Sequence, residues 1–378
     1  MRAIALALVL AGCSGGTGSV VTPVPTPSPT PTPVTAIQAT PVATLDAPWG
    51  MRFTPDGRML VTEKPGRLRI VTQTGTVSDP IANVPGVVFF GSQGGLMDVE
   101  LHPSFATNRV IYLSYVEGTV KNAPMAIAVA RAVLTVSGNG GALSDVKVIW
   151  RAPKTLLDGN FGGRIRFGPD GKLYITSGDT SEGASPDDYS TGRGKVIRIN
   201  DDGSVPNDNP FVGVAGAAPE IWSAGHRNPY GLAWDAAGRL WETEMGPKGG
   251  DELNLIQKGK SYGWYFVSEG TAYDDTPIPK HSTRPEYVAP VAFWTPVIAP
   301  AGFIIYRGDL FTGWKGQGII TGLVSHGLVR VQFTGDTAAE VARHDLGQRI
   351  REVAEGPDGA LWVLEDSPGN RLLRITPR

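Results

Sequence analysis

An all-β chain folded as a six-bladed β-propeller is what this sequence predicts, and three observations predict it. Glycine (49) and proline (31) are abundant among the 378 residues. Long amphipathic helical patterns are scarce. A strand–turn–strand unit recurs six times at intervals of about 45–75 residues, as expected of repeated sheets arranged around a channel.

The clearest copies are "WGMRFTPDGRMLVTEKPGRLRIV" from Trp49, "GRIRFGPDGKLYITSGD" from Gly163, "YGLAWDAAGRLWETEMG" from Tyr230 and "REVAEGPDGALWVLEDSPGNRLLRIT" from Arg351. Each has an alternating strand, a Pro-Asp-Gly-like turn and a second apolar strand. Gly57, Gly171 and Gly359 follow an aspartate, where a residue tolerant of positive φ closes the turn. Weaker copies start at Leu96 ("LMDVELHPSFATNRVIYLSYV") and Gly302 ("GFIIYRGDLFTGWKGQGIITGLVSHGLVRVQF"). A stack of sandwich domains is the alternative. The shared turn pattern and the lack of linkers between units favour the propeller, whose ligands bind on loops at one mouth of the channel.

The first residues, "MRAIALALVLAGCSGG", pair a basic Arg2 with an apolar run too short to span a bilayer. Leu10-Ala11-Gly12-Cys13 is similar to a bacterial lipobox, and Cys13 is the only cysteine, so no disulfide forms within the chain. Lipidation at Cys13 would anchor the chain; an ordinary secretory signal with an incidental cysteine is the alternative. The Pro/Thr-rich stretch that follows cannot build a core and favours an extended spacer. The expected organisation is a signal over residues 1–13, a tether over 14–40 and a propeller over 41–378. The expected location is that of an exported bacterial lipoprotein, on the periplasmic side of the outer membrane or at the cell surface. A formal charge of −2 with interspersed signs gives no electrostatic case for nucleic acid.

Four loop segments are candidates to carry chemistry, the last of them open between a catalytic loop without its base and ordinary turn chemistry. Arg349 and Arg351 lie two apart on one strand face, which suits a ligand with several carboxylates or, alternatively, a solvated face balanced by acids. "AGHRNPYGLAWD" puts His226, Arg227 and Asn228 just before a strand; for His226 a structural role is the simpler reading. In "EMGPKGGDELNLI", Gly246 and Pro247 offer backbone carbonyls and Asp251 and Glu252 offer carboxylates, a set compatible with calcium or with plain turn acids. "DGNFGGRIRF" places Asn160 before a Gly-Gly-Arg turn, where no proton can be held at neutral pH.

The ordered motifs "QGGLMDVELHP", "FGGRIRFGPDGKLYITSGD", "GHRNPYGLAWD", "EMGPKGGDELN", "SYGWYF", "IAPAGFIIYRGD" and "RIREVAEGPDGALWVLED" resemble those of the soluble aldose sugar dehydrogenases. These are quinoproteins that use pyrroloquinoline quinone (PQQ) and calcium. The resemblance covers essentially all of the chain after the tether. It implies an oxidoreductase that converts an aldose to a lactone and passes electrons to an external acceptor. By the same resemblance, Arg349, Arg351 and Arg307 bind cofactor carboxylates, and Arg227 and Asn228 contact PQQ near its reactive carbonyl. Gln93 sits at the substrate mouth, Gly246 and Pro247 hold the cofactor's calcium, and Glu252 with the Tyr262 carbonyl holds a second ion. The family's general base is a histidine directly before the Phe-Gly-Gly-Arg segment. Here Asn160 stands in that position, or the histidine is deleted. Asp158 and His226 are the substitutes nearest in sequence. Two other readings remain: a non-catalytic propeller that binds PQQ or sugar, and a calcium-dependent lactonase-like hydrolase, which leaves the paired arginines without a role.

Overall fold

Six antiparallel sheets follow one another along the chain and close into a ring, a six-bladed β-propeller. The computed structural model describes residues 35–91, 93–118, 123–181, 185 and 187–378. The expected signal, the Cys13 anchor and residues 14–34 of the tether lie outside the described residues.

The chain enters with β1 (Ile37–Thr44). Blade 1 is β2 (Pro48–Phe53), β3 (Met59–Glu63) and β4 (Arg67–Val71). Blade 2 is β5 (Leu96–Leu101), β6 (Val110–Glu117), β7 (Ala126–Ser137) and β8 (Gly140–Arg151). Blade 3 is β9 (Gly162–Phe167), β10 (Leu173–Ser177), β11 (Lys195–Ile199) and β12 (Ile221–Ala224). Blade 4 is β13 (Pro229–Trp234), β14 (Leu240–Glu244), β15 (Asp251–Leu255) and β16 (Ala292–Trp294). Blade 5 is β17 (Pro300–Ile305), β18 (Gly318–Gly322), β19 (Gly327–Thr334) and β20 (Thr337–Asp345). Blade 6 is β21 (Ile350–Glu355), β22 (Leu361–Glu365) and β23 (Arg371–Pro377), completed at its outer edge by β1.

That last pairing joins the two ends of the domain. β1 runs antiparallel to β23 from Ile37↔Pro377 to Thr44↔Arg371, which covers an edge that would otherwise be open. It also corrects the boundary expected at residue 41, because residues 37–40 belong to the sheet rather than to the tether. Apolar side chains fill the spaces between blades. Met51, Met59 and Val61 of blade 1 pack on Trp362 and Leu364 of blade 6, and Trp241 of blade 4 packs with Phe303 and Val329 of blade 5.

Each innermost strand (β2, β5, β9, β13, β17, β21) carries a register shift near its first residues where it pairs with the next strand. Bulges of this kind bend a strand and re-aim its side chains. Gly302 shows why small residues recur there: a Cβ on it would lie 2.7 Å from the Val353 amide of the next blade. Below the bulges the channel is filled by charged side chains. Arg52, Arg164 and Arg166 interleave with Asp98, Glu100 and Glu352, three charges of each sign. Burial pushes the Asp98 carboxyl up to about 6 although Arg164 and Arg52 oppose it.

Candidate functional site

All six innermost strands run in one direction, so their first residues gather at one mouth of the channel. In blades 1, 3, 4 and 6 the first strand residue pairs with the last residue of the second strand: Pro48↔Glu63, Gly162↔Ser177, Pro229↔Glu244 and Ile350↔Glu365. The flanking residues are therefore mouth residues. On the entering side they are Asn160, Arg227, Asn228 and Arg349. On the leaving side they are Lys64, Asp179 and Asp366. A glutamate ending the second strand holds the entering chain: Glu63 accepts the Asp46 amide at 2.7 Å and Glu244 accepts the Arg227 amide at 2.5 Å.

At blade 6 the two arginines converge on one oxygen. Arg349 donates Nε and Nη2 to Asp366 Oδ2 at 3.0 and 2.8 Å, and Arg351 donates Nη2 to the same atom at 3.1 Å. Arg351 is buried, and its Nε has no hydrogen-bond partner. Burial resists ionisation of Asp366, but Arg351 and Arg349 hold its carboxyl below the usual range. One carboxylate for two guanidinium groups leaves capacity for further anionic oxygens. The floor beside them is aromatic: Arg351 lies over Tyr230 at 5.8 Å, and Tyr230 meets Trp49 edge to face at 5.7 Å.

Across the mouth, Asn160 is 6% exposed and adopts a positive φ of 49°. Gln93 Oε1 accepts its backbone amide at 2.8 Å, and its side-chain Nδ2 donates to Asp179 Oδ1 at 3.0 Å. The other Asp179 oxygen accepts Trp264 Nε1 at 2.7 Å. Arg227 sits over the Trp264 ring and donates Nη2 to Tyr273 Oη at 3.0 Å. Asn228 Oδ1 accepts the Gly162 amide at 3.1 Å, tying the entrance of blade 3 to blade 4. Asn160, Asp179, Arg227, Trp264, Tyr265 and Tyr273 line a cleft of about 450 Å³, with Pro247 at its edge. Its rings and few convergent polar groups suit a small polar ligand with an apolar face.

Beside this cleft, β14 and β15 bring four polar side chains to one face of blade 4. Glu242 faces Asn254 and Glu244 faces Glu252 across the strand pair. The single amide group Asn254 Nδ2 lies 3.1–3.2 Å from all three carboxylates. Glu242 Oε1 and Asn254 Oδ1 are buried without partners. Burial and the neighbouring Glu244 raise the carboxyls of Glu242 and Glu252 well above their ordinary value. Excess buried negative charge with orphaned oxygens fits a hard divalent cation, which takes carboxylate and amide oxygens. Glu252, Glu244, Gly246 and Tyr262 line one small cavity. Asp251 faces away from it. Its Oδ2 accepts the Ile298 and Ala299 amides at 2.7 and 2.6 Å, anchoring the entrance to blade 5.

Several sequence expectations change. Arg307 is not at this mouth: it follows the six-residue β17 and lies at the opposite end of the channel, about 20 Å of strand away. There its amide donates to Glu355 Oε2 at 2.8 Å, in a groove with Arg52 and Arg166. His226 is fully buried, with its ring nitrogens engaged by Ser223 Oγ at 2.9 Å and Glu244 Oε1 at 3.0 Å. It therefore supports the strand end and cannot reach the cleft as a base. The Tyr262 carbonyl is met by His281 Nε2 at 3.0 Å, and the Gly246 carbonyl accepts Arg227 Nη1 at 2.9 Å. Gln93, Arg227, Asn228, Arg349 and Arg351 do share the mouth. Asp179, Trp264, Asp366 and Lys64 join them without having been expected. For Asp179, Asp366 and Lys64 the available signal was their place in the repeat, one or two residues after the second strand.

The comparisons with known proteins agree with this architecture. The model of the Glucose / Sorbosone dehydrogenase family matches residues 45–374, and the chain belongs to that family. It is 40% identical over 346 residues to the aldose sugar dehydrogenase YliI of Escherichia coli, covering 88% of this chain and 91% of the relative. The crystal structure of the soluble aldose sugar dehydrogenase from Escherichia coli in its apo form superposes with a TM-score of 0.83 at 36% identity, covering 91% of this chain and all of that one. The PQQ-bound aldose sugar dehydrogenase from Streptomyces coelicolor gives a TM-score of 0.73 at 28% identity, covering 91% of this chain and 99% of that one.

Proposed function

We propose that the protein is a PQQ- and calcium-dependent dehydrogenase that oxidises an aldose at its anomeric carbon to a lactone, hands the electrons to an external acceptor, and turns over slowly because of Asn160. The observation that carries this reading is the cation pair at the mouth, a buried Arg351 and a half-exposed Arg349 that converge on a single Asp366 oxygen. PQQ is a planar tricarboxylate, and the orphaned Arg351 Nε beside an aromatic floor suits such a group. Family membership and the PQQ-bound relative support the same cofactor.

When bound, PQQ supplies the two-electron acceptor that amino-acid side chains lack. Arg349 and Arg351 would hold its carboxylates, and Arg227 with Asn228 would flank its reactive side. The Gly246 and Pro247 carbonyls would take the cofactor's calcium, the first of them shared with Arg227. Glu252, with Glu242 and Glu244 beside it and Tyr262 in the same cavity, would take a second ion, the Tyr262 carbonyl being shared with His281. The sugar would lie in the cleft against Trp264 and Tyr273. Asn160 gives Nδ2 to Asp179 and keeps its side-chain oxygen to accept a hydrogen bond from a sugar hydroxyl, but an amide takes up no proton at neutral pH. The hydroxyl proton then leaves to water. General-base assistance is worth roughly 10²–10⁴ in rate, so turnover falls by about that factor.

Asn160 also favours a second reading, a propeller that binds PQQ and sugar without oxidising it. Reconstitution separates the two. The apo protein is titrated with PQQ in calcium and then given glucose under single-turnover conditions. Slow cofactor reduction supports the dehydrogenase, binding without reduction supports the second reading, and no PQQ binding contradicts both. The lipobox and the Pro/Thr tether support a membrane-anchored periplasmic or surface location. Acyl labelling that survives Cys13→Ser would contradict it.

A further inference from the structure

We propose that Lys64, contributed by blade 1, is a third cationic partner for the carboxylates of the mouth ligand, completing the patch begun by Arg349 and Arg351 of blade 6. The inference rests on the PQQ reading above and extends it to a residue outside the motifs that suggested the cofactor.

The geometry comes from the repeat. Pro48↔Glu63 in blade 1 is the same strand pair as Ile350↔Glu365 in blade 6, so Lys64 occupies in its blade the position that Asp366 occupies in the adjacent one. Blades 6 and 1 meet where β21 packs on β2, which brings these two positions to neighbouring parts of the mouth. The Lys64 backbone is fixed on both sides: its amide donates to the Ala47 carbonyl at 3.0 Å and its own carbonyl accepts the Leu96 amide at 3.0 Å. A Cβ on Gly95 would fall 2.3 Å from the Lys64 carbonyl oxygen, so the segment leading from Gln93 into blade 2 is pressed directly against this residue. The side chain is buried, with Nζ 5.0 Å from the centre of the Phe89 ring.

The charges around it are those of the candidate cofactor site. Arg351 and Arg349 repel the ammonium, while Asp366 and Asp158 attract it, and the Asp366 carboxyl is stabilised in return. Burial, helped by Arg351, brings the Lys64 ammonium down to about 8. The ammonium thus belongs to the same electrostatic patch as Arg349, Arg351 and Asp366. A polycarboxylate held by Arg349 and Arg351 would bring further anionic oxygens to this patch, and Lys64 would meet them as a point charge. The structural alternative is a lysine that only ties the Gln93 segment to blade 1.

Equilibrium titration of the apo protein with PQQ, read by its absorbance and by quenching of tryptophan fluorescence, distinguishes these roles without depending on turnover. The variants are Lys64→Met, which keeps the apolar stem, and Lys64→Arg, which keeps the charge. Lys64→Met is expected to weaken PQQ binding by roughly ten- to a hundredfold, the loss of one charge-assisted contact. Lys64→Arg is expected to stay within a few-fold of wild type. Equal affinity in wild type and Lys64→Met overturns the inference and leaves the PQQ reading intact. If Lys64→Met does not fold, a weakening of roughly tenfold or more in Lys64→Arg relative to wild type overturns it, because charge is then not what matters. No PQQ binding by wild type overturns the underlying reading itself.

Discussion

The side chain of Asn160 donates to Asp179 across 3.0 Å, and the same carboxylate receives Trp264 Nε1 and the Ser181 amide. Asp179 is thus the joint that fixes both the polar residue at the cleft and its aromatic wall. Asp179→Asn would turn an amide group toward donors and is expected to cost about 1–3 kcal/mol of stability. Sugar affinity should fall while PQQ affinity changes little. Thermal melts with separate sugar and cofactor titrations check this, and unchanged sugar binding would contradict it.

The paired arginines make a different prediction. Arg351→Met removes a buried guanidinium but leaves Asp366 its two bonds from Arg349. PQQ affinity should drop by roughly ten- to a hundredfold with fold stability largely kept. Spectroscopic titration against a melting curve separates these effects, and loss of folding without loss of affinity would assign Arg351 a structural role.

The cluster on blade 4 ties calcium to pH. Because burial and Glu244 raise the carboxyls of Glu242 and Glu252, protons and a divalent cation compete for them. Raised carboxyls contribute stability at low pH that is lost as pH climbs through their folded values. In EDTA the melting temperature should therefore decline as pH rises above the ordinary carboxylate range, and calcium should restore it most at the higher pH. Glu242→Gln should flatten the EDTA curve and shrink the calcium increment. Identical melts with EDTA and calcium at every pH would contradict a cation site here.

Ring closure predicts an abrupt limit to N-terminal truncation. A chain beginning at Thr35 keeps β1 paired with β23, whereas one beginning at Leu45 exposes that edge. The shorter chain should melt roughly 5–15 °C lower and aggregate more readily, because the lost pairing costs several kcal/mol and each kcal/mol shifts a domain of this size by about 2 °C. Equal melting of the two chains would show that β1 adds nothing to closure.

The repeating strands and turns were legible because blades 1, 3 and 6 alternate in the same way around an Asp-Gly turn and the other blades vary that pattern, and Arg349 and Arg351 because they sit two apart on a strand. The closing strand was not, since "IQATPVAT" continues the Thr/Pro character of the tether and only its partner β23 makes it a strand. Arg307 was misread because a motif fixes order along the chain, while the end of the channel depends on which side of an innermost strand a residue falls. Asp179 and Lys64 lay in plain view after a second strand, but their place beside Asn160 and Arg351 comes from the ring, not from neighbours in sequence. The same holds for Glu242, whose meaning appears only when β15 brings Glu252 and Asn254 alongside.

The central claim is that a PQQ site stands complete around a residue that cannot take a proton. Its most direct test is stopped-flow reduction of bound PQQ by glucose, in calcium, for wild type and Asn160→His. Equal cofactor binding is expected, with reduction in Asn160→His faster by roughly 10²–10⁴ and dependent on a group titrating near pH 6–7. Equal reduction rates in the two proteins, with no such pH dependence, would contradict it.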